Sequence, residues 1–290
     1  MSIKIITDTS ADLPASLAEQ HNIEIIPINV MFGNETYKDG VTISGEEFNH
    51  KMFVEGQIPQ TSQPSPADFL NIYEKLIEAG HSILSIHVSS KLSGTCNSAE
   101  QAADSFSMSP EQGIKVVDSI KVVDSLKASV PITLGVLATA EHLANNPDIS
   151  LEDLASYAET TLRRTTVYVA LNTLEYLQRG GRIGKASALL GTMLRIKPIL
   201  SLEDGEVVPI AKCRSLNQSL EKMSSLIAEQ GKLTSAALIY NTDPETKDAF
   251  KSQLIAAYPG LELVETTFGP SIGSYVGPNA IGVATLPEAP

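Results

Sequence analysis

The sequence has no tryptophan, only 5% aromatic residues, and two cysteines among 290 residues. Cys96 and Cys213 stand far apart and without the short spacing of metal ligands, so neither a disulfide framework nor a zinc site is expected. No apolar run approaches the ~20 residues that a membrane span requires. Met1-Ser2-Ile3-Lys4 leads straight into a strand-like segment with no signal-peptide pattern, so a cytoplasmic location is expected. Low-complexity tracts are absent, and the 42% hydrophobic and 19% charged residues are ordinary for a folded globular protein. Positive charge is scarce. A net charge of −13 argues against nucleic acid as a partner. The exception is residues 176–202, with five basic side chains (Arg179, Arg182, Lys185, Arg195, Lys197) and no acidic one. Such a segment reads as a solvated basic face or as a docking surface.

What the chain has is alternation of short apolar runs with amphipathic segments, over a length that predicts two domains. Residues 3–6 and 23–30 read as strands. Asp12 is a candidate N-cap for a helix opened by Pro14, and Gly33-Asn34 suits a tight hairpin. Ser44 with Glu47, Ser65 with Asp68, and Ser150 with Asp153 have capping-box spacing, the first for a helix over about 45–54, and Pro66 sits at a first helical position. Phe69, Leu70, Tyr73, Leu76 and Ile77 fall on one helical face that Gly80 ends. The six residues Ile-Lys-Val-Val-Asp-Ser occur twice in succession, at 114–119 and 120–125, and the second copy is favoured as the strand. Leu189, Leu190, Met193 and Leu194 read as an amphipathic helix leading to Lys197-Pro198-Ile199-Leu200. Residues 204–267 then supply a hairpin at Asp204-Gly205 and further strands and helices. The pattern predicts an α/β protein, with an N-terminal domain over residues 1–158 built on a mainly parallel sheet and a second α/β domain over 159–290.

Two hydroxyl-rich loops stand out. Ser89-Ser90-Lys91-Leu92-Ser93-Gly94-Thr95 lies where an apolar strand turns into a helix, so free N–H groups and the helix dipole favour an anion there. Thr61-Ser62 precedes the helix capped by Ser65. Each alone reads as a turn cap. Together they mark the edge of a parallel sheet, where open α/β sheets bind ligands. Gly180 and Gly181 read as a helix C-cap whose turn pushes Arg182 outward. Residues 268–282 hold so many glycines and prolines that a rigid, specially shaped turn is expected, with Tyr275 as its one large polar side chain. A catalytic alternative fares less well. Ser93 has no base: His87 alternates with Ile86 and Val88 and is expected on the opposite sheet face, and Lys91-Leu92-Ser93-Gly94-Thr95 is not a Gly-x-Ser-x-Gly elbow. A phosphosugar enzyme would need a cation at matching spacing; Lys91 is the one candidate and is expected to face solvent.

Taken in order, Thr7-Asp8-Thr9-Ser10, Thr61 to Ser65, Ser89 to Thr95 with Ser98, Asp124-Ser125, Leu174 to Gly184, Arg214 and Gly269 to Gly282 resemble the DegV family of bacterial fatty-acid-binding proteins. The resemblance covers nearly the whole chain. It implies a two-domain α/β carrier, not an enzyme, that encloses a long-chain fatty acid between its domains and needs no other cofactor. It implies carboxylate ligands at Thr61 and Ser93, with Ser62, Gly94 and Thr95 beside them and a third polar group, Tyr275, from the Gly-Pro-rich segment. It also implies a fatty acid kinase as partner, making acyl phosphate for phospholipid synthesis, with Arg182 as the docking residue. The basic segment around Arg182 is then expected to be the docking face for that kinase or, transiently, for an anionic membrane surface. This chain has Tyr275 and Asn279 where the family usually has histidine and glycine. Tyrosine keeps a donor but offers no positive charge near neutral pH, and asparagine tolerates positive φ.

Overall fold

The computed structural model describes residues 2–107 and 119–289. The chain runs β1 (Ile3–Asp8), α1 (Ala15–Gln20), β2 (Ile23–Ile26), β3 (Asn29–Phe32), β4 (Glu35–Lys38), α2 (Gly45–Asn49), β5 (Pro59–Ser62), α3 (Pro66–Glu78), β6 (Ser82–His87), α4 (Thr95–Ser107), β7 (Ile120–Asp124), α5 (Val130–Asn145) and α6 (Leu151–Arg164). It continues through β8 (Thr166–Ala170), α7 (Glu175–Arg179), β9 (Lys197–Glu203), β10 (Glu206–Cys213), α8 (Leu216–Ala228), β11 (Leu233–Tyr240), α9 (Pro244–Ala257), β12 (Glu262–Thr267), α10 (Pro270–Val276) and β13 (Ile281–Pro287). Among the described residues these strands form three sheets. The first is parallel, in the order β2-β1-β6-β7. The second is mixed, in the order β10-β9-β8-β13-β11-β12, with only β11 and β12 parallel. A small antiparallel sheet, β4-β3-β5, completes the set.

Helix α5 joins the two large sheets, packing on β1 and β6 of the first and on β8, β11 and β13 of the second. Its sequence explains that position. Val130-Pro131-Ile132-Thr133-Leu134-Gly135-Val136-Leu137 is apolar nearly all round and buried throughout, and a helix of that kind needs cover on every side. Gly135 lets α6 close in, because a Cβ there would lie 2.4 Å from Leu162 Cδ2. The largest apolar cluster therefore runs from Ile5 and Leu84 through α5 to Ala237 and Ala284 without a break. Position 158 falls inside α6, between the last strand of the first sheet and the first strand of the second.

The expected caps are present. Ser44, Ser65 and Ser150 each accept from the backbone N–H three residues on, and Ser65 with Asp68 forms the reciprocal box. The second repeat copy forms β7; residues 114–118 of the first lie outside the described residues. Asn279 adopts φ 55. Several expectations need correction. The run 23–30 is broken at Pro27, which has no N–H to continue a ladder, so β2 and β3 join different sheets. Asp12 does not cap α1. It sits at φ 54, its carboxyl is engaged elsewhere, and Pro14 occupies the cap position. Residues 45–54 form a short α-helix that widens into a π-helical turn. Residues 184–195 wind as 3-10 turns: Gly184 enters at φ 50, and the buried Ala186 and Leu189 recur at the 3-10 spacing of three. Residues 268–282 are not only a turn, since α10 lies within them.

Candidate functional site

A cavity of about 140 Å³ lies between the C-terminal edge of the first sheet and one face of the second. On the same measure a single water needs about 10–15 Å³. The period of two along the strands makes its wall. Val167 and Val169 of β8 face the cavity, and so do Leu200 and Leu202 of β9, while Ala170 and Ile199 pack into the core on the sheet's other side. Val88, Leu92, Phe268 and Ile272 add to an apolar lining.

The polar lining gathers around Tyr275, in the last turn of α10. Its hydroxyl lies 2.5 Å from Thr61 Oγ1, and Thr61 arrives on β5, an edge strand of the small sheet rather than on the parallel sheet. Ser62 lies beside it, its Oγ accepting from Asn29 Nδ2 at 3.3 Å. The Tyr275 ring rests on Gly180, where a Cβ would come within 2.4 Å of Cε1. Gly180 has an ordinary φ of −76, so its lack of a side chain serves close approach, while Gly181 alone takes the positive φ of the turn. The contact is reciprocated. A Cβ on Gly277, which ends α10, would lie 2.2 Å from the Tyr176 ring of α7. The two short helices thus exchange a tyrosine for a glycine in both directions.

Arg182 also turns inward, contrary to the outward orientation expected from the glycine turn. Its Nε–H donates to Leu92 O at 3.0 Å and its Nη1–H to Gly180 O at 2.8 Å, and its guanidinium lies 5.5 Å over the Tyr275 ring. Three other basic residues of the segment have partners. Arg179 pairs with Glu175 at 2.5 Å, Lys185 approaches Glu206 at 4.0 Å, and Lys197 donates to Asn172 O at 3.2 Å.

The loop after β6 divides its hydroxyls by role. Ser89 is buried, and its Oγ–H donates to Gly205 O at 2.9 Å, tying the loop to the β9–β10 hairpin. Ser93 lines the cavity with its Oγ 2.8 Å from Thr95 Oγ1. Thr95 is fully buried, and Gly94 packs against the side chain of Gln63, 2.9 Å from where a Cβ would be; these two stand behind Ser93 rather than in the lining. Lys91 is exposed, as expected. Thr61, Ser62, Ser93, Arg182 and Tyr275 are therefore brought together from four separate segments. Sequence reasoning missed Gln63 and the steric role of Gly180. It also missed the buried acids Asp12 and Asp39 beneath α10, whose spacing carries no signal.

His87 belongs to a different assembly. Its Nδ1 lies 2.9 Å from Asp8 Oδ2 and its Nε2 2.6 Å from Ser85 Oγ, which also accepts from Tyr73 OH at 2.8 Å. All four side chains are fully buried, so this Asp–His–Ser array is structural. Among the described residues no group of His, Cys, Asp and Glu has the arrangement of a metal site, and no helix is long and apolar enough to cross a membrane.

Fold and cavity together define a mixed α/β protein with an apolar chamber between two sheets and a polar corner assembled at its rim. A family model described as "Uncharacterised protein, DegV family" matches residues 2–288. The chain belongs to the DegV family. Protein DegV of Bacillus subtilis is 32% identical over 98% of each chain. Two solved structures are similar throughout. One, described as fatty acid binding of a DegV family protein from Thermus thermophilus, is 33% identical and covers 99% of this chain and 100% of its own, with a TM-score of 0.88. The other, described as DegV, a fatty acid binding protein from Bacillus subtilis, is 31% identical with the same coverage and a TM-score of 0.87.

Proposed function

We propose that this protein is a carrier that binds a long-chain fatty acid, with the carboxylate at Thr61, Ser93 and Tyr275 and the acyl chain along the apolar wall. The observation that carries this reading is the cluster of Thr61, Ser93, Arg182 and Tyr275 at one corner of a mainly apolar chamber. The fatty acid binding described for the two similar structures supports it. Magnitudes agree. Charge-assisted hydrogen bonds contribute only ~1.5–3 kcal/mol each, against a desolvation cost of several. The roughly fifteen apolar carbons of a sixteen-carbon acid, at ~0.8 kcal/mol per buried CH₂, contribute roughly 12 kcal/mol before association costs. The tail supplies affinity and the corner sets orientation. In this reading residues 1–158 bring the hydroxyl loops and residues 159–290 cover the chain, with Arg182 and Tyr275 reaching back to the corner.

The bound acid is presented to a separate fatty acid kinase, which makes acyl phosphate for phospholipid synthesis. Arg182 stands on the side where the phosphoryl group forms, and the exchange takes place near an anionic membrane surface. A stand-alone serine hydrolase is the second reading. It would draw on the Asp8–His87–Ser85 array, but Ser85 is fully buried with Tyr73 on its hydroxyl, and Ser93 contacts only Thr95. Mass spectrometry of an organic extract of the native protein tests the carrier reading. A near-stoichiometric fatty acid is expected, and an empty or sugar-loaded protein would overturn it. Loss of kinase-dependent acyl phosphate formation in Arg182→Ala is expected; unchanged formation removes Arg182 from that role.

A further inference from the structure

Beneath α10 two buried carboxyls from the N-terminal half meet the first backbone donors of the helix that carries Tyr275. Gly269 N–H donates to Asp12 Oδ1 at 2.8 Å, and Ser271 N–H donates to Asp39 Oδ2 at 2.9 Å. Asp12 is 7% exposed and Asp39 3%. Asp12 is held in place from the other side by Ser129, whose Oγ–H donates to Oδ2 at 2.5 Å, and Ser129 N–H bonds Ser10 O at 2.7 Å. Asp39 is fixed through its own N–H to Ile28 O at 2.9 Å. Both positions carry cost: Asp12 and Ser129 adopt positive φ, and buried carboxyls lose hydration. The partners are the donors that a helix N-terminus leaves free, and Pro270 removes the one between them.

We infer that Asp12 and Asp39 are positioning residues for the head-group corner, seating α10 so that Tyr275 stays within reach of Thr61. The geometry runs through one rigid helix. Its first turn rests on the two acids, and its last turn presents the Tyr275 hydroxyl to Thr61 at 2.5 Å with the ring clamped between Gly180 and Arg182. Most of the wall is independent of this seat, because Val167, Val169, Leu200 and Leu202 stand on β8 and β9, while Ile272 is its contribution from α10 beside Phe268. Other charged groups near the seat are few: Asp8 acts on both carboxyls and is itself paired with His87. Burial pushes the Asp12 carboxyl well above the usual range and that of Asp39 upward as well, consistent with groups held for their acceptor geometry.

This inference rests on the fatty acid reading and is tested by the ratio of two affinities, for hexadecanoate and for hexadecan-1-ol, each presented from cyclodextrin. The alcohol fills the same wall without a carboxylate. Asp39→Ala should lower hexadecanoate affinity at least tenfold and hexadecan-1-ol affinity less than twofold. Asp39→Asn keeps an acceptor for Ser271 N–H and should restore hexadecanoate affinity to within threefold of the native protein. If Asp39→Ala does not fold, Asp39→Ser, which keeps polarity but not reach, is read by the same ratio. Parallel losses for acid and alcohol, or no loss for either, overturn the positioning role while leaving the carrier reading intact. A native protein that binds neither ligand overturns the carrier reading and this inference with it.

Discussion

The wall and the corner of the cavity are built on opposite principles. The wall comes from adjacent strands β8 and β9, each alternating apolar side chains with period two, so that neighbouring register places Leu200 beside Val169. The corner draws Thr61, Ser93, Arg182 and Tyr275 from four distant segments; Tyr275 is set by a glycine face and by the acids beneath its helix, Arg182 by main-chain carbonyls, and Thr61 by Tyr275 itself. The wall is redundant, and losing one side chain there removes area. The corner is serial, so displacing one support moves a ligand atom. Affinity and orientation are therefore separable by mutation.

The largest effect on stability is expected in the wall. Leu200→Ala removes a buried side chain, 4% exposed, and should cost about 2 kcal/mol of unfolding free energy in chemical denaturation, at the low end for such changes because one side already faces a cavity. Acid and alcohol ligands should weaken alike. The largest effect on the corner alone is expected from Gly180→Ala, whose Cβ overlaps the Tyr275 ring. Fatty acid recovered in organic extracts should fall more than tenfold while the melting temperature changes little. An extract unchanged by this substitution would unseat Tyr275 from the site.

A smaller effect is expected with pH. Asp12 and Asp39 are harder to ionise folded than unfolded, so their contribution to stability is complete below the ordinary value of 3.8 and is lost as pH rises from there through their folded values. Asp12→Asn should flatten this part of the stability profile, measured by denaturation across pH. The smallest effect is expected from Thr61→Ala, which removes one hydroxyl from the corner and should weaken hexadecanoate binding by about 1 kcal/mol, or roughly fivefold, in titration. Hexadecan-1-ol binding should respond less.

Much of the fold was legible because it rests on local rules. Ser44, Ser65 and Ser150 cap where their spacing said they would, and strands and helices alternate over much of the described chain. Pro27 was a readable break that the apolar run 23–30 concealed. The corner was half legible. Hydroxyl-rich loops announced Thr61 and Ser93, but nothing in spacing revealed that Gly180 is small for the sake of a ring 95 positions away, or that Arg182 turns inward to Leu92. Asp12 misled for a physical reason: Asp before a helix is a sound cap signal, and only the approach of Gly269 and Ser129 gives its carboxyl a different partner.

By itself the sequence determined the α/β alternation, the caps and the apolar faces, and with them the existence of hydroxyl-bearing loops near helix starts. These depend on residues within a few positions of one another, where backbone sterics and periodicity decide. The tertiary structure decided which hydroxyls face the cavity, that Ser89 serves as a tie and Ser93 as lining, and that the tyrosine is held between a glycine and an arginine. Those outcomes depend on contacts across 90 to 214 positions. No local preference encodes such contacts, because they exist only once the two sheets have packed on α5.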